Sequence, residues 1–148
     1  MDFKQIQAFL ADNTFHLMLA VALAGLTVAI VVGEVKRLLR PYKALGPAQL
    51  TALINREDAL VVDLSPQGDF EKGHIAGSKS LPAAQFKPDH RLLTAARTRP
   101  LVLACRTGQA SAAPAAALKK AGFEQVYWLD GGIEAWKSAD LPLAKGRA

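Results

Sequence analysis

Residues 101–111, which read LVLACRTGQAS, constrain the fold of this chain more than any other segment. The first four are apolar and follow Pro100, a pattern typical of a strand that is buried on both faces of a sheet. The only cysteine, Cys105, comes next, and an alanine-rich run over 110–120 predicts a helix. The cysteine is therefore expected where a buried strand ends and a helix begins, the edge at which open α/β sheets bind ligands.

The surroundings of Cys105 favour a reactive thiol over a structural one. A loop that leads into a helix turns its free N–H groups towards one point, and the helix dipole adds partial positive charge there. Both effects stabilise a thiolate, so Cys105 is expected to be a better nucleophile at neutral pH than a free thiol. The alternative is an inert buried cysteine, since free cysteines are among the most buried residues in proteins.

Helical and strand-like patterns alternate along the chain from Gly46 onward. The predicted helices cover 46–55, 67–72, 91–98, 111–121 and 133–137, and the predicted strands cover 59–64, 78–81, 101–104 and 125–129. Strands that alternate with helices predict right-handed crossovers and a mainly parallel sheet covered on both faces. The expected fold class is therefore α/β, with a central sheet between two helical layers.

Residues 15–33 contain no Asp, Glu, Lys or Arg and predict a helix that spans a membrane. A helix of this length is about 28 Å long, close to the ~30 Å hydrocarbon core of a bilayer. A buried core helix and a cleaved signal peptide are the alternatives, and Ala22-Leu23-Ala24 resembles a cleavage site. A signal peptide has a shorter apolar region and a more basic start than this chain, where Lys4 stands among acidic residues.

Basic residues after the apolar run give its orientation. Lys36, Arg37, Arg40 and Lys43 follow it with one acidic residue, Glu34, whereas one lysine precedes it. An excess of positive charge marks the cytoplasmic side, so we expect a single-pass anchor of the cytoplasmic membrane with its N-terminus outside. The expected organisation is a short extracytoplasmic N-terminus over 1–14, a transmembrane helix over 15–33, a basic juxtamembrane linker over 34–45 that includes Pro41, a domain over 46–142 and a C-terminal tail over 143–148.

Charge and cysteine content narrow the function classes. The net charge is +5, but no run of Lys and Arg interleaved with aromatic residues supports nucleic-acid binding. A single cysteine excludes an intramolecular disulfide and a multi-cysteine zinc site. No metal and no cofactor are expected from the sequence.

Five segments together carry a resemblance to a known family. They are Val62-Asp63, GHIAGS over 73–78, CRTGQAS over 105–111, LKKAGF over 118–123, and LDGGI over 129–133 followed by Trp136. Each motif alone is a weak signal, but their order and spacing are specific. Over about residues 46–142 the chain resembles a single-domain rhodanese, which implies a rhodanese-like three-layer α/β domain with a central, mainly parallel sheet, here preceded by one transmembrane helix.

The resemblance implies a sulfurtransferase in which Cys105 is the nucleophile. Its thiolate attacks the outer sulfur of a donor such as thiosulfate or a persulfide, becomes a cysteine persulfide, and passes the sulfur to a thiol or to cyanide. Backbone N–H groups of the loop are expected to surround the negatively charged sulfur. The expected substrate-binding residues are Arg106, Thr107, Gly108, Gln109, Ala110 and Ser111. The implied partners are the membrane, a small-molecule or protein sulfur donor and a thiol acceptor. A membrane-protein partner is compatible with this interpretation.

The chain departs from the family pattern at two positions. Many relatives carry a basic residue where this chain has Ala110, and often an arginine where it has Ser65. Arg106 either supplies the missing positive charge or faces solvent, and the preferred sulfur donor stays open. The resemblance makes His74 a structural residue that holds a turn, in place of a catalytic partner of Cys105. Asp63 either enters the site or caps a neighbouring loop, and capping is the favoured role.

Three function classes remain. The first is a membrane-tethered sulfurtransferase, and the second is a non-catalytic rhodanese-like docking module at the cytoplasmic membrane face. The third is a phosphatase or arsenate reductase, because one phosphatase class has a similar fold. Oxyanion chemistry of that kind needs an arginine six residues after the cysteine, and Ser111 occupies this position. The sequence therefore favours the first two classes.

Overall fold

The computed structural model describes residues 2–40 and 42–147, with the side chains of residues 9–11 excepted. The chain divides into two compact units, Met1–Arg40 and Pro41–Ala148. The first is a single helix and the second an α/β domain. Pro41, expected within the juxtamembrane linker, lies outside the described residues.

The N-terminal unit is helix α1, Phe3–Leu38. It begins after Asp2, whose backbone N–H donates to the side-chain oxygen of Gln5 at 3.2 Å. The expected segment 15–33 lies inside this helix, which extends further at both ends because no Pro interrupts its backbone hydrogen bonding. By its length and composition α1 is long and apolar enough to cross a membrane. Its most apolar window has no buried residue.

The second unit alternates strands and helices. Its strands are β1 (Lys43–Leu45), β2 (Leu60–Asp63), β3 (His74–Ile75), β4 (Lys79–Ser80), β5 (Leu101–Ala104), β6 (Val126–Leu129) and β7 (Leu143–Ala144). Its α-helices are α2 (Pro47–Glu57), α3 (Gln67–Lys72), α4 (Arg91–Thr94), α5 (Ala112–Lys120) and α6 (Gly132–Ser138). Short 3₁₀ turns cover Ala83–Gln85 and Gln109–Ser111.

Five strands form the central sheet in the order β1-β6-β5-β2-β4, and all four pairings are parallel. This confirms the expected α/β class and its central parallel sheet. Both edge strands are short, and each begins with an exposed lysine, Lys43 in β1 and Lys79 in β4. The carboxyl ends of β2, β5 and β6 meet at one edge of the sheet, where Cys105 follows β5.

Strand β5 is buried on both faces, as its unbroken apolar run predicts. Leu101 and Leu103 pack in a cluster with Leu118 of α5, which lies over one face. Val102 and Ala104 belong to a second cluster with Leu50, Trp136 and other residues on the opposite face. All four residues of β5 have no exposed surface. The strand that leads to the cysteine is therefore held by both helical layers.

Two short strands lie outside the expected domain bounds of 46–142. Residues 43–45, assigned to the linker, form strand β1, in which Leu45 pairs with Leu129 of β6. Residues 143–144, assigned to the tail, form β7, which pairs antiparallel with β3. Both strands are short and lie at edges with partly exposed side chains, so they lack the apolar run that identified β5. The strand pairings of this unit thus include residues before 46 and after 142.

Asp63 ends strand β2 and shapes the turn that follows it. Its Oδ1 accepts the backbone N–H of Ser65 at 2.9 Å, the loop-capping role that the sequence favoured. Only 1% of Asp63 is exposed. Burial raises the pKa of Asp63 above its ordinary value, against lowering by the hydrogen bonds with Ser65 and by the charges of His74 and Arg106. A buried carboxylate therefore weakens the fold when it ionises, while its capping bond positions Ser65.

Asp63→Asn keeps an oxygen for the Ser65 N–H and removes the buried charge. Because the folded-state pKa is raised, the stability from this group is complete below the ordinary value of 3.8 and is lost as pH rises through the folded-state pKa. We expect the free energy of unfolding of the variant, relative to the parent chain, to be higher at about pH 7 than at about pH 4. Urea denaturation followed by tryptophan fluorescence measures this difference. An equal difference at both pH values would show that burial does not perturb Asp63.

Candidate active site

Cys105 lies at the carboxyl end of β5 and has 4% of its surface exposed. Its Sγ accepts the backbone N–H of Gly108 at 3.0 Å. Gly108 has a φ of 86°, in the left-handed region that favours glycine, so the loop can turn back on its own cysteine. A backbone donor aimed at the sulfur stabilises negative charge on it.

A pocket of about 350 Å³ opens beside Cys105. It is bounded by the cysteine loop, by the turn after β2 and by the 3₁₀ turn after β4. Its lining residues are Leu64, Ser65, Pro66, Pro82, Ala83, Ala84, Cys105, Arg106, Thr107 and Ala110. Most of these side chains are apolar, so the pocket suits a small substrate with little charge.

The six predicted binding residues differ in their position relative to the sulfur and the pocket. Gly108 donates its N–H to the sulfur, and Arg106, Thr107 and Ala110 line the pocket with Cys105. Gln109 is exposed outside the lining, and Ser111 is fully buried behind it. Along the described chain the loop thus presents backbone groups and few functional side chains to the sulfur.

The start of helix α6 holds the cysteine loop in place by hydrogen bonds to its backbone carbonyls. Ile133 donates its N–H to the carbonyl oxygen of Cys105 at 2.9 Å, and Glu134 donates to that of Arg106 at 3.1 Å. Gly132 makes this approach possible, because a Cβ there would lie 2.1 Å from the Cys105 oxygen and 2.6 Å from the Gly108 nitrogen. The sequence did not predict this contact, although the paired glycines of LDGGI were its signal.

Arg106 points to a carboxylate on the neighbouring helix. Its Nη2 lies 3.5 Å from Oδ1 of Asp69 in α3, and its side chain is 52% exposed. Arg106 thus lines the cysteine pocket while its guanidinium is paired with a negative charge. The sequence left open whether Arg106 supplies positive charge to the site or faces solvent. In the structure its side chain is partly exposed and its charge is paired with that of Asp69.

His74 holds a turn, as the resemblance implies. Its Nδ1 lies 2.8 Å from the carbonyl oxygen of Phe70, and its ring stacks on the Phe70 ring with the centroids 3.8 Å apart. The residue is buried in β3. Within residues 2–40 and 42–147, no group of three His, Cys, Asp or Glu side chains is placed to hold a metal ion.

Comparison with known proteins identifies the domain. The model of the rhodanese-like domain family matches residues 46–139. Thiosulfate sulfurtransferase GlpE of Pseudoalteromonas translucida is 33% identical over 98 residues, which cover 66% of this chain and 91% of GlpE. A rhodanese-related protein of Thermoplasma volcanium has a similar fold, with a TM-score of 0.61 and 23% identity over 70% of this chain and 98% of its own.

A further relative matches more of the chain. Uncharacterized protein YibN of Escherichia coli K12 is 39% identical over 133 residues, which cover 89% of this chain and 93% of YibN. This match is longer than the α/β domain, so it takes in part of the N-terminal helix, whereas the match to GlpE covers two thirds of the chain. The family model and these relatives together show that the chain belongs to the rhodanese-like domain family, whose members include sulfurtransferases.

Proposed function

We propose that the chain is a membrane-tethered sulfurtransferase that carries sulfane sulfur as a persulfide on Cys105 and passes it to a thiol acceptor. One observation carries the proposal: the only cysteine of a rhodanese-like domain lies beside a small pocket and accepts the Gly108 N–H at 3.0 Å. Relatives named thiosulfate sulfurtransferase support the reaction class.

In the first half-reaction the Cys105 thiolate attacks the outer sulfur of the donor. A bond forms between Sγ and that sulfur, and the sulfur–sulfur bond of the donor breaks. With thiosulfate as the donor, the bonding electrons leave on sulfite. The protein retains a persulfide, and no oxidant or reductant is consumed.

Backbone groups of the loop stabilise both charged states of the cysteine. The thiolate and the persulfide each carry negative charge, which a backbone N–H directed at the sulfur stabilises. The Gly108 N–H contacts Sγ directly. A fixed backbone donor needs no rearrangement during the reaction, which is the source of its effect on the barrier.

In the second half-reaction an acceptor thiolate attacks the outer sulfur of the Cys105 persulfide. The electrons of the broken bond return to Sγ, and the acceptor leaves as a persulfide. Cys105 is the only cysteine, so no second thiol in the chain can take the sulfur. The loaded state therefore persists until an external acceptor reaches the pocket.

We expect Cys105 to gain one sulfur atom on incubation with a sulfane-sulfur donor. Intact mass after desalting should rise by about 32 Da, fall back after reduction, and stay unchanged in Cys105→Ser. The serine variant is nearly isosteric, so its thermal unfolding serves as the control for folding. A folded chain whose accessible thiol gains no sulfur from any donor would instead support the non-catalytic docking module.

The reaction also depends on the contact between α6 and the cysteine loop. Gly132→Ala places a methyl group against the Cys105 and Arg106 carbonyls, so we expect sulfur loading to slow by about a hundredfold. Gly122→Ala is the matched control, because Gly122 has a similar left-handed backbone (φ 91°) with open space around it. The control should lose about 1–2 kcal/mol of stability and retain loading. Equal loading by both variants would contradict the role of this contact.

Helix α1 would anchor the protein in the cytoplasmic membrane, with its N-terminus outside and the domain in the cytoplasm. Its apolar window is exposed, and basic residues follow it. An apolar helix of this length near the N-terminus fits both an anchor and a signal sequence. The charge distribution and the length of the apolar run favour the anchor.

We expect the full-length chain to stay with membranes after alkaline carbonate extraction, because its apolar helix remains in the bilayer. Protease added to intact spheroplasts should leave the domain uncut and should cut it after lysis. Recovery of a soluble chain that starts near Gly25 would show cleavage after Ala24 and contradict the anchor.

A further inference from the structure

We infer that the preferred sulfur donor is a hydropersulfide with an apolar organic group, and that thiosulfate is a poor donor for this chain. The inference rests on the proposed function and specifies its substrate class. It follows from two features of the pocket beside Cys105, namely the chemistry of its walls and the pairing of its one cation.

The walls of the pocket are apolar on the side away from the cysteine loop. Pro82 precedes the 3₁₀ turn after β4, and Ala83 and Ala84 lie in it. Leu64 and Pro66 come from the turn after β2, and Ser65 between them, whose side chain hydrogen-bonds Asp63, is the one polar residue on this side. Contact with hydrocarbon is favourable for such walls, and apart from Ser65 they offer a sulfonate group no hydrogen bond from a side chain. Ala110, on the cysteine loop itself, adds another methyl group.

Arg106 is the one cationic side chain among the described residues that line this pocket. Its Nη2 lies 3.5 Å from Oδ1 of Asp69, so its charge is already partly neutralised. Thiosulfate carries two negative charges, which lose water on entry and meet only the cation of Arg106, already paired with Asp69. Removing a charged group from water without a partner is costly, and this cost raises the barrier for thiosulfate.

A neutral hydropersulfide avoids this cost. The Cys105 thiolate attacks its outer sulfur, a bond to Sγ forms, and the bond between the two donor sulfurs breaks. The electron pair leaves on the inner sulfur as an organic thiolate. The proton of the donor stays on the transferred sulfur or passes to water, so atoms and electrons balance without a further reagent. The organic group remains against the apolar walls throughout.

The test compares two donors on the full-length chain in detergent. Thiosulfate and benzyl hydropersulfide are each incubated with the protein, and the rate of sulfur gain on Cys105 is followed by intact mass. Each rate is divided by the rate of the same donor with free glutathione, because the two donors differ in intrinsic reactivity. We expect the normalised rate to be at least about tenfold higher for benzyl hydropersulfide.

Two substitutions should shift this preference by supplying positive charge. Ala110→Arg adds a cation to the pocket, and Asp69→Asn releases Arg106 from its ion pair. Either should raise the ratio of the thiosulfate rate to the benzyl hydropersulfide rate by about tenfold. Ala48→Arg adds the same charge at an exposed position of α2 outside the pocket, and it should leave the ratio unchanged.

The outcomes separate this inference from the function on which it rests. Equal normalised rates for the two donors, or a ratio that neither substitution moves more than Ala48→Arg does, would overturn the donor preference while leaving the sulfurtransferase intact. Failure of a folded chain to take up sulfur from either donor would overturn the proposed function and the donor preference together.

Discussion

Two backbone hydrogen bonds from the start of α6 hold the site together. They run from the N–H groups of Ile133 and Glu134 to the carbonyl oxygens of Cys105 and Arg106. These carbonyls point back to α6, and the Gly108 N–H on the other side of the loop contacts the sulfur. The loop is therefore shaped by its main chain. Side chains at the exposed positions of the loop can change the substrate without changing the position of the nucleophile.

The central strand explains why the cysteine has so little freedom. Strand β5 pairs with β2 on one side and β6 on the other, and both helical layers cover it. Cys105 is the next residue after the strand, so its backbone position is restricted by the sheet. A nucleophile held in this way loses little entropy when a donor arrives, which is the general advantage of building a site on a rigid strand.

The sequence predicts the elements that are buried and misses those that depend on distant partners. Strands β5 and β2 lie where the apolar pattern predicts them, because their burial follows from runs of neighbouring apolar residues. Strand β1 was missed, since Lys43 and Ala44 are exposed at an edge and resemble a linker. The same limit applies to the site. The cysteine follows from the local pattern, but the pairing of Arg106 with Asp69 joins the cysteine loop to helix α3 and has no signal in the neighbouring sequence.

The short edges of the sheet matter for a protein that would be confined to a membrane. Many copies held in one plane meet often, and an exposed strand edge invites another strand to add to it. Here both edges are only two or three residues long, and each begins with an exposed lysine. Few free backbone groups remain for a neighbour, and the like charges repel one another. The fold thus carries its own protection against aggregation through strand addition at high local density.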